Sequence, residues 1–448
     1  MLPLEKARAC SESLVDSARK AGADAADAIY VGQEAESVQV RLGELEHVDR
    51  SENEQVGLRV FVGQRSASVA SSEFSDETMN ELVSRAIAMA REAPEDPYAG
   101  LAPAVLITHG PFPDVGSEDG ADLDPRDLRA RALAAEDAAL GVAGITNSGG
   151  SSASRSSSVI ALATSTGFSG GYRSTATSNS VSVIAGERTA MQRDHAWHAA
   201  RHLGDLDAPE DLGRLAGSRA VARLNPTKPR PGRYPVLFDP RVAGSLLTHF
   251  AAAITGSAVA RKASFMLDML GQKVFAEGIR IVDDPLRKRG VRSRPFDGEG
   301  LAVQRSDLVA DGFLKTWTAE SASARQLGIQ PTGHAVRGPS GAPGAGPSNL
   351  YMEAGSPSRE DLLATFPEAL LVTELIGQGI NYVTGDYSRG ASGFMIRNGE
   401  IAEPVAEITI ASNLLDIFAT LEPASDLEFR YGIDAPTLLV PEMTVAAA

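Results

Sequence analysis

The chain has 448 residues, 43% of them hydrophobic, a formal net charge of −16 at neutral pH and a single cysteine, Cys10. Its length suits two or three packed cores, while its acidity opposes binding along a polyphosphate backbone, which depends on Lys and Arg displacing counterions. A lone thiol, expected here as a small buried hydrophobe, excludes an internal disulfide or a multi-cysteine zinc site, and the absence of a long uncharged apolar run or a signal-peptide core predicts a cytoplasmic protein that does not span a membrane.

From the start of the chain, Leu4, Ala7, Leu14 and Ala18 share one side of a helix that Gly22 would stop. Period-two segments around 26–31, 37–42, 56–62 and 67–71 predict an antiparallel meander. Met79, Val83, Ala86 and Ala90 return to helical spacing. Asp124-Pro125 sets a capping carboxylate ahead of a proline at the first helical position of a helix over 126–140. The Ser/Gly-rich run 147–158 reads as a loop and strand edge, followed by strands of small polar residues at 159–164, 170–177 and 180–185. A helix over 211–224 ends at a segment whose three prolines cannot continue it. These signals predict an N-terminal α/β domain over 1–224, with an antiparallel sheet flanked by helices and subregions near 1–110 and 111–224. A linker at 225–232 and a C-terminal domain over 233–448 complete the division.

The second domain opens with a buried strand at 234–238 and a helix over 240–259. The Gly/Pro-rich run 331–347 predicts a long surface loop, a kind of segment that often carries function. Ser358 begins a capped helix, residues 370–376 and 393–396 read as strands, and Asn398-Gly399 is a two-residue hairpin signal. The expected fold class is α+β, with a strand-rich, barrel- or sandwich-like C-terminal domain carrying a few helices.

Four groups of residues invite a chemical reading. His195, His198 and His202 would share one side of a helix at i, i+3 and i+7, a set that an independent metal-dependent hydrolase would use; the competing reading is a solvated or locally hydrogen-bonded histidine face. His249 stands alone on the helix after the boundary, whereas metalloprotease helices place two histidines on one face with a glutamate base beside the first. The loop 377–390 combines glycines with Asp386 and hydroxyls but lacks a phosphate-binding pattern, so tight turns shaping a cavity are expected. Ser257, Ser264 and Lys262 are residue types too common for their proximity to indicate a serine–lysine hydrolase.

The segments 260–265, Ser293-Arg294-Pro295-Phe296-Asp297-Gly298-Glu299-Gly300, Thr332-Gly333-His334, Ser348-Asn349-Leu350-Tyr351, 372–379 and Thr384-Gly385-Asp386-Tyr387-Ser388-Arg389-Gly390 together resemble the TldE/PmbA branch of the TldD/TldE metalloprotease family, once classed as modulators of DNA gyrase. The N-terminal half fits in order and length. The resemblance implies a heterodimer that degrades unfolded or flexible peptides inside an enclosed cavity, with zinc held by a TldD-type subunit through a His-Glu-x-x-x-His helix and a later cysteine. Here the matching helix reads His249-Phe250-Ala251-Ala252-Ala253-Ile254: Phe250 occupies the base position and Ile254 the second ligand position, and residues 429–436 contain no cysteine. A chain lacking those groups is expected to be non-catalytic and to hold no cofactor of its own. Its implied roles are to close the cavity, to bind extended peptide along strand edges and to set the partner's geometry. Arg261, Asn349, Tyr351, Gln378, Asp386 and Arg389 are, by the same resemblance, candidates for cavity or interface positions, with buried structural hydrogen bonding as the alternative. A homodimer in isolation, or a regulatory protein acting on gyrase or toxin–antitoxin systems through protein contacts, remains a competing role.

Overall fold

The computed structural model describes residues 1–447. The first elements in chain order are α1 (Leu4–Lys20), β1 (Ala25–Arg41), β2 (Glu44–Val62), β3 (Arg65–Ser71), α2 (Asp76–Glu92), α3 (Pro125–Leu140), β4 (Ile145–Thr164), β5 (Ser169–Ala185), β6 (Gln192–Ala200) and α4 (Pro209–Ala222). The six strands form one sheet in the order β3-β2-β1-β4-β5-β6, antiparallel at each pairing. As the capping signal predicts, Asp124 accepts from Arg126 N and Asp127 N at the start of α3. The helices lie on one face: α1 and α2 cover β1–β3 through Leu14, Val15, Leu82 and Val83, and α3 and α4 cover β5 and β6 through Ala135, Leu212 and Ala216.

Three local expectations change. The segments at 26–31 and 37–42 are parts of one strand, β1, those at 170–177 and 180–185 are parts of one strand, β5, and the Ser/Gly-rich run 147–158 lies within β4 rather than in a loop. Serine tolerates that position because its hydroxyls pair across the strands. Ser152, Ser154 and Ser158 meet Ser180, Ser178 and Ser174 at 2.9, 2.7 and 2.7 Å, so each hydroxyl finds a partner without an apolar layer above it.

The remainder comprises β7 (Gly232–Phe238), α5 (Pro240–Ala253), α6 (Gly256–Ala260), β8 (Ile281–Asp283), β9 (Ser306–Ala310), β10 (Phe313–Leu314), α7 (Ser321–Leu327), β11 (Ala335–Val336), β12 (Gly344–Ala345), β13 (Leu350–Met352), α8 (Arg359–Ala364), β14 (Glu368–Ile376), β15 (Asp386–Arg397), β16 (Glu400–Asn413), α9 (Leu414–Thr420), β17 (Glu422–Pro423), β18 (Ile433–Asp434) and β19 (Leu438–Ala447). Strands β16-β15-β14-β7-β19 follow one another, and β19 returns to pair with β16, which closes a barrel. Only β7 and β14 in this ring run parallel. Side chains alternate as a pleated strand requires: Val236, Phe238, Leu370 and Val372 join the main core with α5, while Leu237, Leu371 and Leu439 pack under Leu362 and Leu363 of α8. The β15–β16 turn has positive φ at both Asn398 and Gly399, as its sequence predicts.

The helix expected over 240–259 is two helices. Ile254 O accepts from Thr318 N at 3.0 Å and Gly256 N donates to Thr318 O at 2.8 Å, so a neighbouring segment takes the backbone groups that would continue α5. The run 331–347 contains the β11–β12 hairpin and docks on the N-terminal sheet. A Cβ on Gly57 would lie 1.8 Å from Pro339 O, which leaves glycine as the residue that admits this contact. The two parts also meet where Ile29, Leu162 and Phe168 pack on Phe296 and Leu301. Among the described residues, no helix is long and apolar enough to cross a membrane.

At the centre of the C-terminal core, Phe250 meets Phe275 and Phe418 edge-on at 5.2 and 6.2 Å between ring centres, and Phe275 stacks on Phe418 at 4.6 Å. Phe250→Ala is expected to cost about 3–5 kcal/mol, measured as a fall in the denaturant midpoint.

Candidate functional site

Helix α5 starts on Asp239, whose side chain accepts from Arg241 N at 3.2 Å, with Pro240 in the first turn. The 14 residues of this helix cannot all face water when it packs against a barrel, and its apolar positions set which side is buried. His249 is carried inward and is 4% exposed. Its Nδ1 lies 2.9 Å from the Tyr382 hydroxyl, and its ring sits 6.1 Å from the rings of both Tyr382 and Tyr387. Burial, reinforced by the nearby Arg389 cation, lowers its pKa to about 4. The imidazole is therefore neutral at pH 7.

Phe250 and Ile254 have 0% exposure and belong to the core. The segment 429–436 is drawn into a tight turn, because the Asp434 carboxylate accepts from the backbone N–H of Arg430, Tyr431 and Gly432 at 2.9, 2.7 and 3.1 Å. Burial nevertheless raises the Asp434 pKa. Among the described residues, no group of three or more His, Cys, Asp or Glu side chains is placed to hold one metal ion. The residues at the metal-motif positions do not fit zinc: they offer one imidazole, whose Nδ1 is already taken by a phenol, and two hydrocarbon side chains packed in the core, too few donors for a tetrahedral site.

Other candidates separate into two groups. Arg389 lies close enough to influence His249, Tyr382 and Tyr387, and these four form one cluster; the two tyrosines escaped the sequence reading, although both flank Thr384-Gly385-Asp386. Asp386 is exposed on the alternate side of β15 and accepts from Thr384 Oγ1 at 2.6 Å. Gln378 and Arg261 are also exposed. Asn349 is a buried bracket instead, accepting from Arg292 N at 3.0 Å and donating to Asp284 O and Ser293 Oγ at 2.7 and 2.8 Å. Tyr351 packs edge-on against Phe429 at 4.9 Å. Ser264 spends its hydroxyl on Ala253 O at 2.6 Å.

The histidine triad is a correction. Residues 192–200 form β6, not a helix, so the odd spacing of His195 and His198 sends them to opposite faces of the sheet. His195 is exposed, His198 Nδ1 accepts from Asp207 N at 3.2 Å, and His202 Nε2 meets Gly116 O at 2.9 Å. Helical spacing is ambiguous here, because Asp194, Ala196, His198 and Ala200 also fall on alternate positions and face inward together along a strand. His195 instead contributes to a cleft of about 820 Å³ between β6, α4 and the start of α5, which Trp197, Arg219, Arg241, Thr248 and Tyr431 also line. Arg223 ties its walls together by pairing with Asp194 at 3.4 Å and with Glu374.

Three family models match in succession: PmbA/TldA metallopeptidase domain 1 over 26–90, its central domain over 118–224 and its C-terminal domain over 231–447. Metalloprotease PmbA of Escherichia coli O157:H7 is 38% identical over 412 residues, which cover 92% of this chain and 89% of that protein. The chain belongs to the PmbA/TldD family. The PmbA homologue of Haemophilus influenzae is 37% identical, with 96% of this chain and 94% of that one covered. Among solved structures, a candidate modulator of DNA gyrase from Bacteroides thetaiotaomicron matches with a TM-score of 0.92 at 26% identity, over 100% of both chains. TldE from Thermococcus kodakarensis shares the fold, with a TM-score of 0.86 at 18% identity over 98% of this chain and 100% of that one.

The depressed pKa of His249 fixes a pH dependence. An unfolded histidine takes up its proton near pH 6.5, whereas the folded one resists until about pH 4. Stability is therefore full above about pH 6.5 and falls as pH drops through that window, by at most on the order of 3 kcal/mol from this group. His249→Phe is expected to flatten that part of the stability profile in urea melts, and an unchanged slope would contradict it.

Proposed function

We propose that this chain is a non-catalytic, TldE-type subunit of a two-subunit zinc-dependent peptidase acting on unfolded or flexible peptides. The observation that carries the reading is the packing of α5. Phe250 and Ile254, at the positions where a TldD-type helix carries its base and second ligand, are fully buried in the aromatic core. A glutamate and a histidine there would face hydrocarbon, at a cost that buried charge and unpaired polar groups impose. Without a base to accept a proton from water, hydrolysis needs a partner that supplies both base and metal.

In this reading zinc resides in a TldD-type partner, and the present chain completes the enclosure around the substrate. Its sheet edges and the cleft beside Trp197 and Tyr431 are suited to extended polypeptide. The expected setting is the cytoplasm.

The test mixes the purified chain with a TldD-type protein. A complex of summed mass, zinc in that complex and cleavage of an unstructured peptide are expected together, with neither stoichiometric zinc nor cleavage for this chain alone. Stoichiometric zinc with cleavage by the isolated chain would overturn the proposal.

A further inference from the structure

Strand β15 places Tyr387 and Arg389 two residues apart, opposite Ser412 and Ile410 of β16, so both project from the same side of the barrel wall. That side faces His249 of α5, whose ring lies 6.1 Å from that of Tyr387. Each of the three side chains carries a polar atom with no hydrogen-bond partner in the protein: His249 Nε2, Tyr387 Oη and Arg389 Nε. Two of these residues are almost fully enclosed, His249 at 4% and Tyr387 at 1% exposure. When the Tyr382 hydroxyl donates to His249 Nδ1, Nε2 carries the ring proton, and all three atoms are donors. We propose that His249, Tyr387 and Arg389 form a binding site for a carboxylate group carried by a flexible peptide.

The cluster is built rather than incidental. The segment that holds Tyr382 over His249 is fixed at several points: Phe265 N donates to Tyr382 O at 2.7 Å, Asn381 N to Asp386 O at 2.9 Å and Ser388 N to Gly379 O at 2.8 Å. Gly379 lies so close to β15 that a Cβ there would be 1.9 Å from Ser388 O. These bonds hold the donors in place before any ligand arrives, which lowers the ordering cost of binding.

Charge selects the ligand. In a chain with 58 acidic residues against 42 lysines and arginines, the half-buried Arg389 has no ion pair among the described residues. A desolvated cation without a counter-charge is costly, and an anion from outside the chain offsets that cost. The cluster holds one fixed positive charge, because His249 is neutral and the phenol is un-ionised. A planar monoanion matches one guanidinium plus two neutral donors; a phosphate dianion would carry a second charge into the site uncompensated, and a cation would be repelled. Ile376, just before the segment 377–385, and Val383, within it, are 59% and 62% exposed and offer apolar surface to the residues that precede the carboxylate.

The site rests on the subunit reading only in taking a peptide as the carrier. The full-length chain is titrated in a calorimeter with acetyl-tetraalanine as the free acid, with its C-terminal amide, and with an amidated peptide of the same length containing one aspartate. At least one acid peptide is expected to bind about tenfold or more tighter than the neutral amide. Preference for the free acid assigns the site to a chain terminus, and preference for the aspartate peptide assigns it to a side chain. Arg389→Gln should abolish the preference. Tyr387→Phe, which keeps the ring that fills the wall, should weaken the acid about three- to tenfold and supplies the answer if the arginine variant does not fold. Equal binding of acids and amide, no binding of either acid at millimolar concentration, or an acid preference unchanged in both variants overturns the site. Loss of complex and cleavage in the two-subunit mixture, with carboxylate binding intact, would remove the subunit reading and leave this one.

Discussion

Helix α5 is threaded against the inner side of a closed barrel, and that placement constrains much of what surrounds it. Its buried positions Ala243, Leu246, Leu247, Phe250 and Ala253 meet side chains from β7, β14, β15 and β19, while Phe275 and Phe418 close on Phe250 from the adjoining loops and α9. A ring of strands leaves no edge to open, so the helix cannot shift without repacking several strands at once. Interiors at this density resist changes in side-chain volume and resist uncompensated charge still more. The same packing that stabilises the fold therefore removes Phe250 and Ile254 from any role in water chemistry.

Within that apolar setting the polar groups have been gathered to one place. His249 is neutral because burial and Arg389 both disfavour its protonation, and it meets two tyrosines whose own ionisation is suppressed by burial. The result is a cluster of uncharged groups around a single guanidinium, a composition suited to recognition rather than to proton transfer near neutral pH. In the cleft between the two parts of the molecule the charges are balanced differently, with Arg223, Arg241 and Arg359 engaged by Asp194, Glu374 and Asp239. Those pairs join β6 and α4 to the start of α5 and to α8, and they make the walls of the cleft one connected unit.

Local signals were most legible where one residue has one physical solution. Asp124-Pro125 capped a helix, Ser358 capped another with Asp361, and Asn398-Gly399 turned a hairpin, because capping oxygens and positive φ are properties of the residue itself. Signals were least legible where spacing alone had to decide. The serines of β4 lacked the apolar alternation of a strand, since their partners are hydroxyls on β5. The segment with His195, His198 and His202 fitted a helix and a strand equally, and pairing with β5 decided it. Backbone groups of Thr318, far away in the chain, ended α5 at a point where the sequence continued in helical character.

By itself, the sequence determined the α+β composition, the family, the lack of a glutamate and a second histidine after His249, and the lack of a cysteine in 429–436. These follow from residue identity and order, which need no geometry. Only the tertiary structure decided that Phe250 and Ile254 are locked in the core, that Asn349 is a structural bracket, and that Tyr382, Tyr387 and Arg389 converge on His249. Those facts depend on barrel closure and strand register, which bring together groups more than a hundred residues apart, and no local pattern encodes which distant side chain will meet a given imidazole.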